Sequence, residues 1–384
     1  MENIKNKTKI KSLCIALLLL IALLLIFTAL KENSLISEWV SVNVSKWWIF
    51  VFGKINYYLP FSVFEILIYF AIIALLFFIS RWIYLLVKKK YKLCLKSFLV
   101  FAIILVSILN IYTVSASFAY YRPSCELIYA TEEETDKDKF YEVAEYFIDD
   151  FNNLAESLKK DEKGLVVNPY SFSELSEIIA NEYDKLGSEF LYKFTPKAKK
   201  IFSSFAMGEL SLMGIFFAPT GEANINADMP AFEFPVTIAH ELAHAKGAMR
   251  ERDANLFAYQ ICINSDNEFL RFSGYMDCIS DLLSAVRYLS GTETYSELSG
   301  KISDTVKLQF SSSREYWASH SSLRNVQNFF NDLYLKLSGL KDGTDNYIIK
   351  DNVEFDKDSN EVISFEYNDV QKIFLYRYNK LKAD

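Results

Sequence analysis

Two of the three histidines in this 384-residue chain lie four positions apart in the segment HELAH, as His240 and His244. On an α-helix these side chains project from one face, one turn apart, so their imidazoles can bind one Zn²⁺ ion at about 2.0–2.1 Å. Glu241 follows the first histidine and can reach a water molecule on such an ion, where a carboxylate acts as general base. The ion would lower the pKa of that water toward ~7 and polarise an amide carbonyl. The segment therefore predicts a zinc site that hydrolyses an amide bond, with Glu241 as the catalytic base.

The alternative is an ordinary helix that carries two surface histidines, because a pattern with three fixed positions also arises by chance. Histidine is otherwise rare in this chain, and Glu241 is the one charged side chain between Pro235 and Lys246. The histidines therefore lie in a largely apolar context. The segment is not part of an apolar run of membrane length, which argues against an intramembrane metalloprotease. These features favour the metal site.

A third ligand must come from Asp, Glu, His or Cys. Pro235 suits the first position of a helix, and Gly247 suits the position after its end, so a turn and a second helix are expected beyond Gly247. In zinc proteases that turn sharply at a glycine, the third ligand lies six residues after the second histidine. Here that position is Arg250, which cannot bind a cation.

Two carboxylates follow, Glu251 and Asp253, and helical periodicity separates them by ~200°, so only one can face the metal. Asp253 shares its face with Phe257, which is typical of a core. Glu251 shares its face with Asn255, a polar residue placed to hydrogen-bond a ligand. We predict Glu251 as the third ligand, while Asp253 and the distant His320 remain open alternatives.

Three apolar runs precede this motif, at residues 13–30, 61–80 and 97–117. Each is long enough to cross ~30 Å of hydrocarbon at about 1.5 Å per residue. The first run follows four lysines, as a signal peptide would, but its apolar core is too long and no small-residue cleavage site follows. We therefore predict a membrane region with three retained helices in residues 1–117 and a separate domain in residues 118–384.

The two parts carry opposite charge. Residues 1–117 hold 13 Lys and Arg against 4 acidic residues, and residues 118–384 hold 28 against 44. The basic residues cluster before the first apolar run and between the second and third, and such clusters face the cytoplasm. We expect a multi-pass cell-membrane protein with a cytoplasmic N-terminus and an extracytoplasmic C-terminal domain. An acidic domain is a poor nucleic-acid binder, so nucleic acid is not expected as a partner.

The C-terminal part has helical periodicity around a short sheet. Residues 139–160 carry apolar side chains at spacings of three and four, and Ser171 or Ser173 offers a cap for the next helix. Residues 199–230 have short β-branched and aromatic runs broken by glycines, which predicts a few short strands. The expected fold class is mainly α, with a three-helix transmembrane region and an α+β zincin-like metallopeptidase domain that contains a small sheet and the HExxH helix.

Further residues are candidates for function. We place Gly221–Asn226 as the edge strand that pairs with a substrate backbone, with a plain strand as the alternative. Tyr275 or His320 could stabilise an oxyanion. Glu65 lies inside the second apolar run, where charged residues are often functional, although it could simply reach the interface. The Trp and Tyr residues of positions 37–60 suit the outer membrane interface, and the five cysteines indicate mostly unpaired thiols.

The stretch HELAHAKGAMRERDANLFAYQ is similar to the signature of the bacterial membrane proteins grouped as domain-of-unknown-function family 3810, which are predicted zinc metallopeptidases. The resemblance covers most of the chain, through NYYLPFSVFEILIY, FAYYRPS, PTGEANINADMP, DNEFLRFSGY and YLKLSGLKDG in the same order. More remotely, ERDAN is similar to the Glu-x-x-x-Asp/Asn element of other Glu-liganded zinc proteases. That resemblance implies Glu251 as the ligand and Asn255 as the residue that supports it.

The leading hypothesis is a membrane-anchored, zinc-dependent metallopeptidase that acts on a peptide or protein substrate beside the lipid bilayer. One alternative is a non-catalytic binding or scaffold protein with a structural metal site. Another is a hydrolase of a different amide, such as one in the cell wall. The presence of Glu241 beside a complete ligand set of His240, His244 and Glu251 favours an enzyme over a scaffold. The sequence does not separate peptide cleavage from cleavage of another amide.

Overall fold

The structure is a computed structural model that describes residues 2–133, 136–337, 349, 351–355 and 362–383. The chain forms two compact units, one of Met1–Pro123 with Phe217–Glu222 and the other of Ser124–Phe216 with Ala223–Asp384. The described residues are mainly helical, as the sequence predicts. Positions 338–343 of the YLKLSGLKDG motif lie outside the described residues.

The first unit is built from helices that correspond to the predicted apolar runs. Its helices are α1 (Glu2–Lys31), α2 (Ser34–Val40), α3 (Lys46–Tyr57), α4 (Val63–Val87) and α5 (Tyr91–Ser115), with a π-helical turn at Ser41–Ser45 and a 3₁₀ turn at Ser117–Tyr121. Three segments, Lys9–Lys31, Val63–Val87 and Tyr91–Ser115, are long and apolar enough to cross a membrane. Their length and composition are consistent with membrane anchoring. The buried Asn110 donates its amide to the carbonyl of Leu20 at 3.1 Å, which ties α5 to α1.

The helical run Ser34–Tyr57 has two distinct faces. Small side chains at Ser37, Ser41 and Ser45 are buried, whereas Trp39 and Trp47 are 62% and 56% exposed. Eight residues of uninterrupted α-helix would rotate these two tryptophans apart by ~80°. The wider π turn between α2 and α3 offsets this rotation, so the exposed aromatic face continues along the whole run.

The second unit contains the remaining helices. They are α6 (Lys137–Ser157), α7 (Phe172–Leu186), α8 (Ser204–Glu209), α9 (Phe234–Ala245), α10 (Glu251–Asn264), α11 (Glu268–Gly300), α12 (Asp304–Ser319), α13 (Arg324–Leu337) and α14 (Asp369–Ala383). The cap of α7 is Ser171, one of the two predicted residues, and it forms a capping box with Glu174. Gly187 ends the same helix in the left-handed conformation that favours glycine. Local sequence signals therefore set both ends of this helix.

An aromatic core holds α6, α11 and α14 together. The rings of Phe147, Phe151 and Tyr275 are fully buried and meet at edge-to-face angles. Phe374 of α14 packs on Phe147 with ring centroids 4.9 Å apart. Because α11 also packs against α9, this core supports the helix that carries the histidines.

Two small sheets are present among the described residues. The first has strands β1 (Ala198–Lys200), β2 (Gly214–Phe217) and β3 (Glu222–Ile225) in the order β1-β3-β2, with β1 parallel to β3. The second pairs β4 (Asn352–Phe355) with β5 (Val362–Glu366) in antiparallel fashion. The prediction that Gly221–Asn226 is an edge strand was wrong, because β3 has a neighbour on both sides. The edge strands are β1 and β2, and strand order of this kind depends on pairing that sequence patterns do not reveal.

Candidate metal centre

The helix α9 carries the motif and is buried on nearly every side. Pro235 lies in its first turn. Backbone N–H groups there have no hydrogen-bond partner within the helix, so a proline, which lacks this group, is tolerated. Ile238, Ala239 and Leu242 are fully buried, and Tyr183 of α7 donates its hydroxyl to the carbonyl of Ala239 at 2.6 Å. The small and apolar residues around the histidines therefore pack α9 into the core of the second unit.

A tight turn brings the chain back past the histidines. Gly247 has a φ of 95°, a value that L side chains rarely adopt, and its N–H donates to the carbonyl of His244 at 3.0 Å. The N–H of Ala248 donates to the carbonyl of Ala243 at 3.0 Å. After this turn α10 begins at Glu251, so the first residue of α10 faces the end of α9.

His240, His244 and Glu251 come together at this turn. Each offers one ligand atom, and these atoms all lie within 4.8 Å of one another. The Oε2 atom of Glu251 lies 3.2 Å from Nε2 of His240 and 3.4 Å from Nε2 of His244. Ligand atoms at tetrahedral angles on an ion, each about 2.0–2.1 Å away, are themselves about 3.3 Å apart. The donor set is one that could hold a metal ion, and the two distances to Glu251 are close to this value.

Hydrogen bonds orient both histidine rings. Nδ1 of His244 lies 2.8 Å from the carbonyl oxygen of Ala248, and a carbonyl can only accept, so Nδ1 carries the proton. Nδ1 of His240 lies 2.7 Å from Oδ1 of Asn255, which has the same consequence. In each ring Nε2 is left with its lone pair directed at the cluster, which is the form that binds a metal.

Glu241 is a buried carboxylate beside this cluster. It is 5% exposed, and its Oε2 atom has no hydrogen-bond partner among the described residues. Burial raises the pKa of Glu241 to about 8, although the nearby His240 and a hydrogen bond from the backbone of Phe216 favour the ionised form. Without a cation nearby this pKa favours the protonated form of Glu241 at neutral pH, and a bound cation would lower it.

Gly214 is a site residue that sequence reasoning missed. A Cβ atom at Gly214 would lie 2.5 Å from Oε1 of Glu241, so β2 passes directly over this carboxylate. A glycine in a short aromatic run was the available signal, because it indicates close approach of the backbone to another group. Without the strand order, however, that group could not be named.

Asp277 was also missed. It lies on α11 and is accessible to solvent, but the surrounding protein desolvates its carboxyl and raises its pKa to about 6, an effect that the charge of His240 opposes. Ser273, one turn earlier on α11, accepts a hydrogen bond from the N–H of Val236 at 3.2 Å. This contact brings α11 alongside α9, and no local pattern predicts it.

The other candidate residues lie outside the cluster. Asp253 is 3% exposed and accepts from Nε of Arg250 at 2.8 Å. His320 stacks on Tyr316 with ring centroids 4.4 Å apart, and neither it nor Asp253 belongs to the three-residue group found among the described residues. The hydroxyl of Tyr275 donates to Asp150 at 2.9 Å within the aromatic core, so the structure does not support Tyr275 as an oxyanion donor.

Two further expectations concern residues away from the cluster. Glu65 lies in the first turn of α4, where its carboxylate accepts a hydrogen bond from the hydroxyl of Tyr69 at 2.8 Å. The five cysteines are free, as the sequence indicates.

The fold and the site define a mainly helical protein with three apolar helices and a buried His–His–Glu cluster. Residues 41–349 match the family described as "Protein of unknown function (DUF3810)". Because this match covers most of the chain, the protein belongs to that family, and the predicted resemblance is confirmed. No curated protein and no solved structure matches the chain.

Proposed function

We propose that this protein is a membrane-anchored zinc metallopeptidase with a zincin-like C-terminal domain. One observation carries the proposal. His240, His244 and Glu251 hold their ligand atoms at the spacing of a tetrahedral ion, beside a buried Glu241 carboxylate. Structural zinc sites are closed by four protein ligands, whereas catalytic sites keep one position open. The three ligands found among the described residues therefore favour catalysis over a structural metal.

The residues of the chain would divide the chemistry among them. A zinc ion bound by this ligand set would polarise the carbonyl of the substrate amide and lower the pKa of a bound water. Asn255 and Ala248 hold the two imidazoles in the tautomer that binds the ion. Glu241 accepts the proton of the attacking water and then returns it to the leaving amine. The charge of the ion would offset the burial that raises the pKa of Glu241, so that the carboxylate is ionised and can take the proton.

The edge strand β2 would align the substrate. It lies at the edge of the three-stranded sheet and passes over Glu241 at Gly214. An extended peptide can add to such an edge through backbone hydrogen bonds, which gives affinity without demanding a particular side chain. The scissile amide would then lie beside the cluster. A peptide or protein is the substrate class that uses this arrangement fully.

The location of the domain follows from the apolar helices and the charge pattern. Three helices of spanning length that begin in the cytoplasm end on the outer side, so the second unit would act in the extracytoplasmic space. Its acidic composition gives no reason to expect a nucleic-acid partner. The lipid bilayer itself is the expected surrounding of the first unit.

Metal analysis and peptide cleavage by the purified full-length protein test this function. We expect about one zinc per chain and cleavage of members of a random peptide library. Glu241→Gln should keep the zinc and lose at least ~100-fold in kcat/KM, because removal of a general base costs that much. Glu177→Gln, a change at an exposed residue of α7, is the matched control and should behave as the wild type. A protein without zinc, or cleavage that Glu241→Gln leaves unchanged, would overturn the proposal.

A further inference from the structure

The hairpin that contains β2 is shared between the two units of the chain. Its turn residues, Phe217–Glu222, belong to the first unit, while Gly214–Phe216 and the rest of β3 belong to the second. The turn closes on itself through the N–H of Gly221, which donates to the carbonyl of Phe217 at 2.9 Å. Gly221 has a φ of 65°, which favours glycine at that position.

Within the first unit, Glu222 holds the hairpin at the start of α4. It is 1% exposed, and its two carboxylate oxygens accept from two successive backbone N–H groups. The N–H of Val63 donates to Oε1 at 3.0 Å, and that of Phe64 donates to Oε2 at 2.9 Å. These N–H groups have no partner within the helix, and a carboxylate there also interacts favourably with the helix dipole. The contact is therefore a charge-assisted pair of hydrogen bonds in a buried place.

The helix α3 holds the same turn from a second direction. Nδ2 of Asn56 donates to the carbonyl of Thr220 at 2.7 Å, and Nε1 of Trp48 donates to that of Pro219 at 3.2 Å. Gly221 meets Gly53 backbone to backbone, since a Cβ atom at Gly221 would lie 2.7 Å from the nitrogen of Gly53. We call this set of contacts, made by Asn56, Trp48, Gly53 and Glu222, the hairpin clamp.

The other end of the same strand lies at the candidate metal centre. The backbone of Phe216 hydrogen-bonds Glu241, and Gly214 lies against its carboxylate. Strands rise about 3.3 Å per residue, so the clamped Phe217 is only about 10 Å along the chain from Gly214. A shift of the turn by one or two ångströms would therefore move the edge of β2 relative to Glu241.

We propose that the hairpin clamp positions β2 for backbone pairing with an extended peptide, with Glu222 and Asn56 as the positioning residues. This inference rests on the proposed function, because it assigns a role to β2 in substrate alignment. It goes further by giving residues of the first unit a role in peptide binding, among them Asn56, which is far from HELAH in sequence. A small metal-binding compound does not pair with β2, so its binding should not depend on the hairpin clamp.

The first test uses Glu222→Gln in the full-length protein, with Glu177→Gln as the control. The amide cannot accept two N–H bonds with both terminal atoms, so one bond to α4 is lost. We expect KM for extended peptides to rise by about tenfold, in line with the loss of a hydrogen bond to a charged group. Zinc content and inhibition by acetohydroxamate, a small metal-binding probe, should stay at the wild-type values. Unchanged peptide KM, or an equal loss of zinc and acetohydroxamate binding, would overturn the role in positioning.

A second measurement does not depend on activity. In Glu222→Gln we expect faster hydrogen–deuterium exchange for the amides of residues 214–217, with exchange in α6 unchanged. Exchange in β2 that equals the wild-type rate would contradict the clamp even if no peptide were cleaved. If Glu222→Gln does not accumulate in the membrane, Asn56→Ser removes one donor and is judged by the same measurements. Wild-type protein that cleaves no peptide would instead count against the proposed function, and the exchange result would still decide whether the clamp holds β2.

Discussion

At the scale of single residues, the hydrogen bonds behind the histidines decide what the cluster can bind. Asn255 and the Ala248 carbonyl each accept a hydrogen bond from the Nδ1–H group of one ring. Both Nε2 atoms therefore keep a lone pair that can bind a metal ion beside Glu251. Burial disfavours the ionised form of Glu251, but positive charge and Nε2–H donation from the two histidines in their protonated form outweigh this effect and lower its pKa. An ion bound to both Nε2 atoms would supply that positive charge in place of the protons, so the carboxylate would be ionised, as a metal ligand must be.

This geometry predicts different outcomes for the two neighbouring carboxylates. Glu251→Ala should lower zinc affinity by more than ~100-fold, because even partners behind the ligands are worth 10–100-fold. Asp253→Ala should keep the zinc, since its carboxylate is paired with Arg250 rather than with the histidines. Zinc titration of the two purified variants measures both effects. Loss of zinc from Asp253→Ala with retention in Glu251→Ala would show that the assignment is reversed.

At the scale of elements, the site depends on two helices, one turn and one strand. The α9 helix provides His240, His244 and the proposed base Glu241, the turn at Gly247 returns the chain, and α10 supplies Glu251. The strand β2 then covers Glu241 and excludes bulk water from it. Local sequence signals account for each element, but the packing of α9 against α10 and α11 determines where the elements come together.

Gly214 tests the contact between β2 and the base. A methyl group at this position would lie 2.5 Å from Oε1 of Glu241, so the carboxylate or the strand must move. Gly214→Ala should reduce peptide cleavage strongly and lower the free energy of unfolding by about 1–3 kcal/mol, as overpacking usually does. Peptide kinetics and thermal unfolding measure these effects. Gly208→Ala, where a methyl group would make ordinary contacts at 3.5 Å, is the matched control and should be mild.

Glu233 links the start of α9 to α12, and its ionisation makes the free energy of unfolding depend on pH. Ser313 and Trp317 of α12 both donate to its carboxylate. Burial raises the pKa of Glu233 to about 7 from a value of 4.5, although these hydrogen bonds favour the ionised form. A raised carboxyl pKa stabilises the folded state below pH 4.5, and this stabilisation is lost as the pH rises through about 7.

We therefore expect the free energy of unfolding to fall between pH 5 and 8, with up to about 3 kcal/mol of the change due to Glu233. In Glu233→Gln that part of the pH dependence should disappear. Thermal unfolding at a series of pH values measures the difference between the two proteins, and this difference cancels the contribution of other carboxyls with raised pKa values, such as Asp277. Parallel pH profiles for wild type and Glu233→Gln would contradict this prediction.

At the scale of the whole molecule, the chain joins a unit with three apolar helices to a larger helical unit with the cluster. The first unit also carries an exposed aromatic face on the run Ser34–Tyr57. Trp and Tyr on such a face suit the membrane–water interface, where one side of the ring is apolar and the other is wet. These features are consistent with membrane anchoring, and an enzyme acting on the outer side is our proposal.

Protease treatment of intact cells tests that topology. With the N-terminus in the cytoplasm, the second unit should be digested when protease is added outside, because no membrane lies between them. The basic segment between α4 and α5, which includes Lys88 and Lys89, should be cleaved only after the cells are lysed. A tag at each end of the chain allows the fragments to be identified. Protection of the C-terminal unit in intact cells would show that the orientation is opposite.

The sequence by itself determined the features that arise from local signals. The apolar runs revealed the spanning-length helices, and Pro235, Gly247 and the histidine spacing revealed the motif helix and its turn. Periodicity also separated Glu251 from Asp253, because a difference of about 200° on one helix needs no tertiary information. These properties depend on residues within a few turns of one another, so a single sequence contains them.

Only the tertiary structure decided which distant groups meet. It placed β3 in the centre of its sheet, with β1 and β2 at the edges, and it brought Gly214 over Glu241. It also joined Glu222 to the start of α4, across more than a hundred residues of sequence. Strand order and helix packing are set by contacts between remote segments, and each segment alone is compatible with several partners. The meeting of His240, His244 and Glu251 was therefore predictable from the sequence, whereas the strand above Glu241 and its contacts with the first helices of the chain were not.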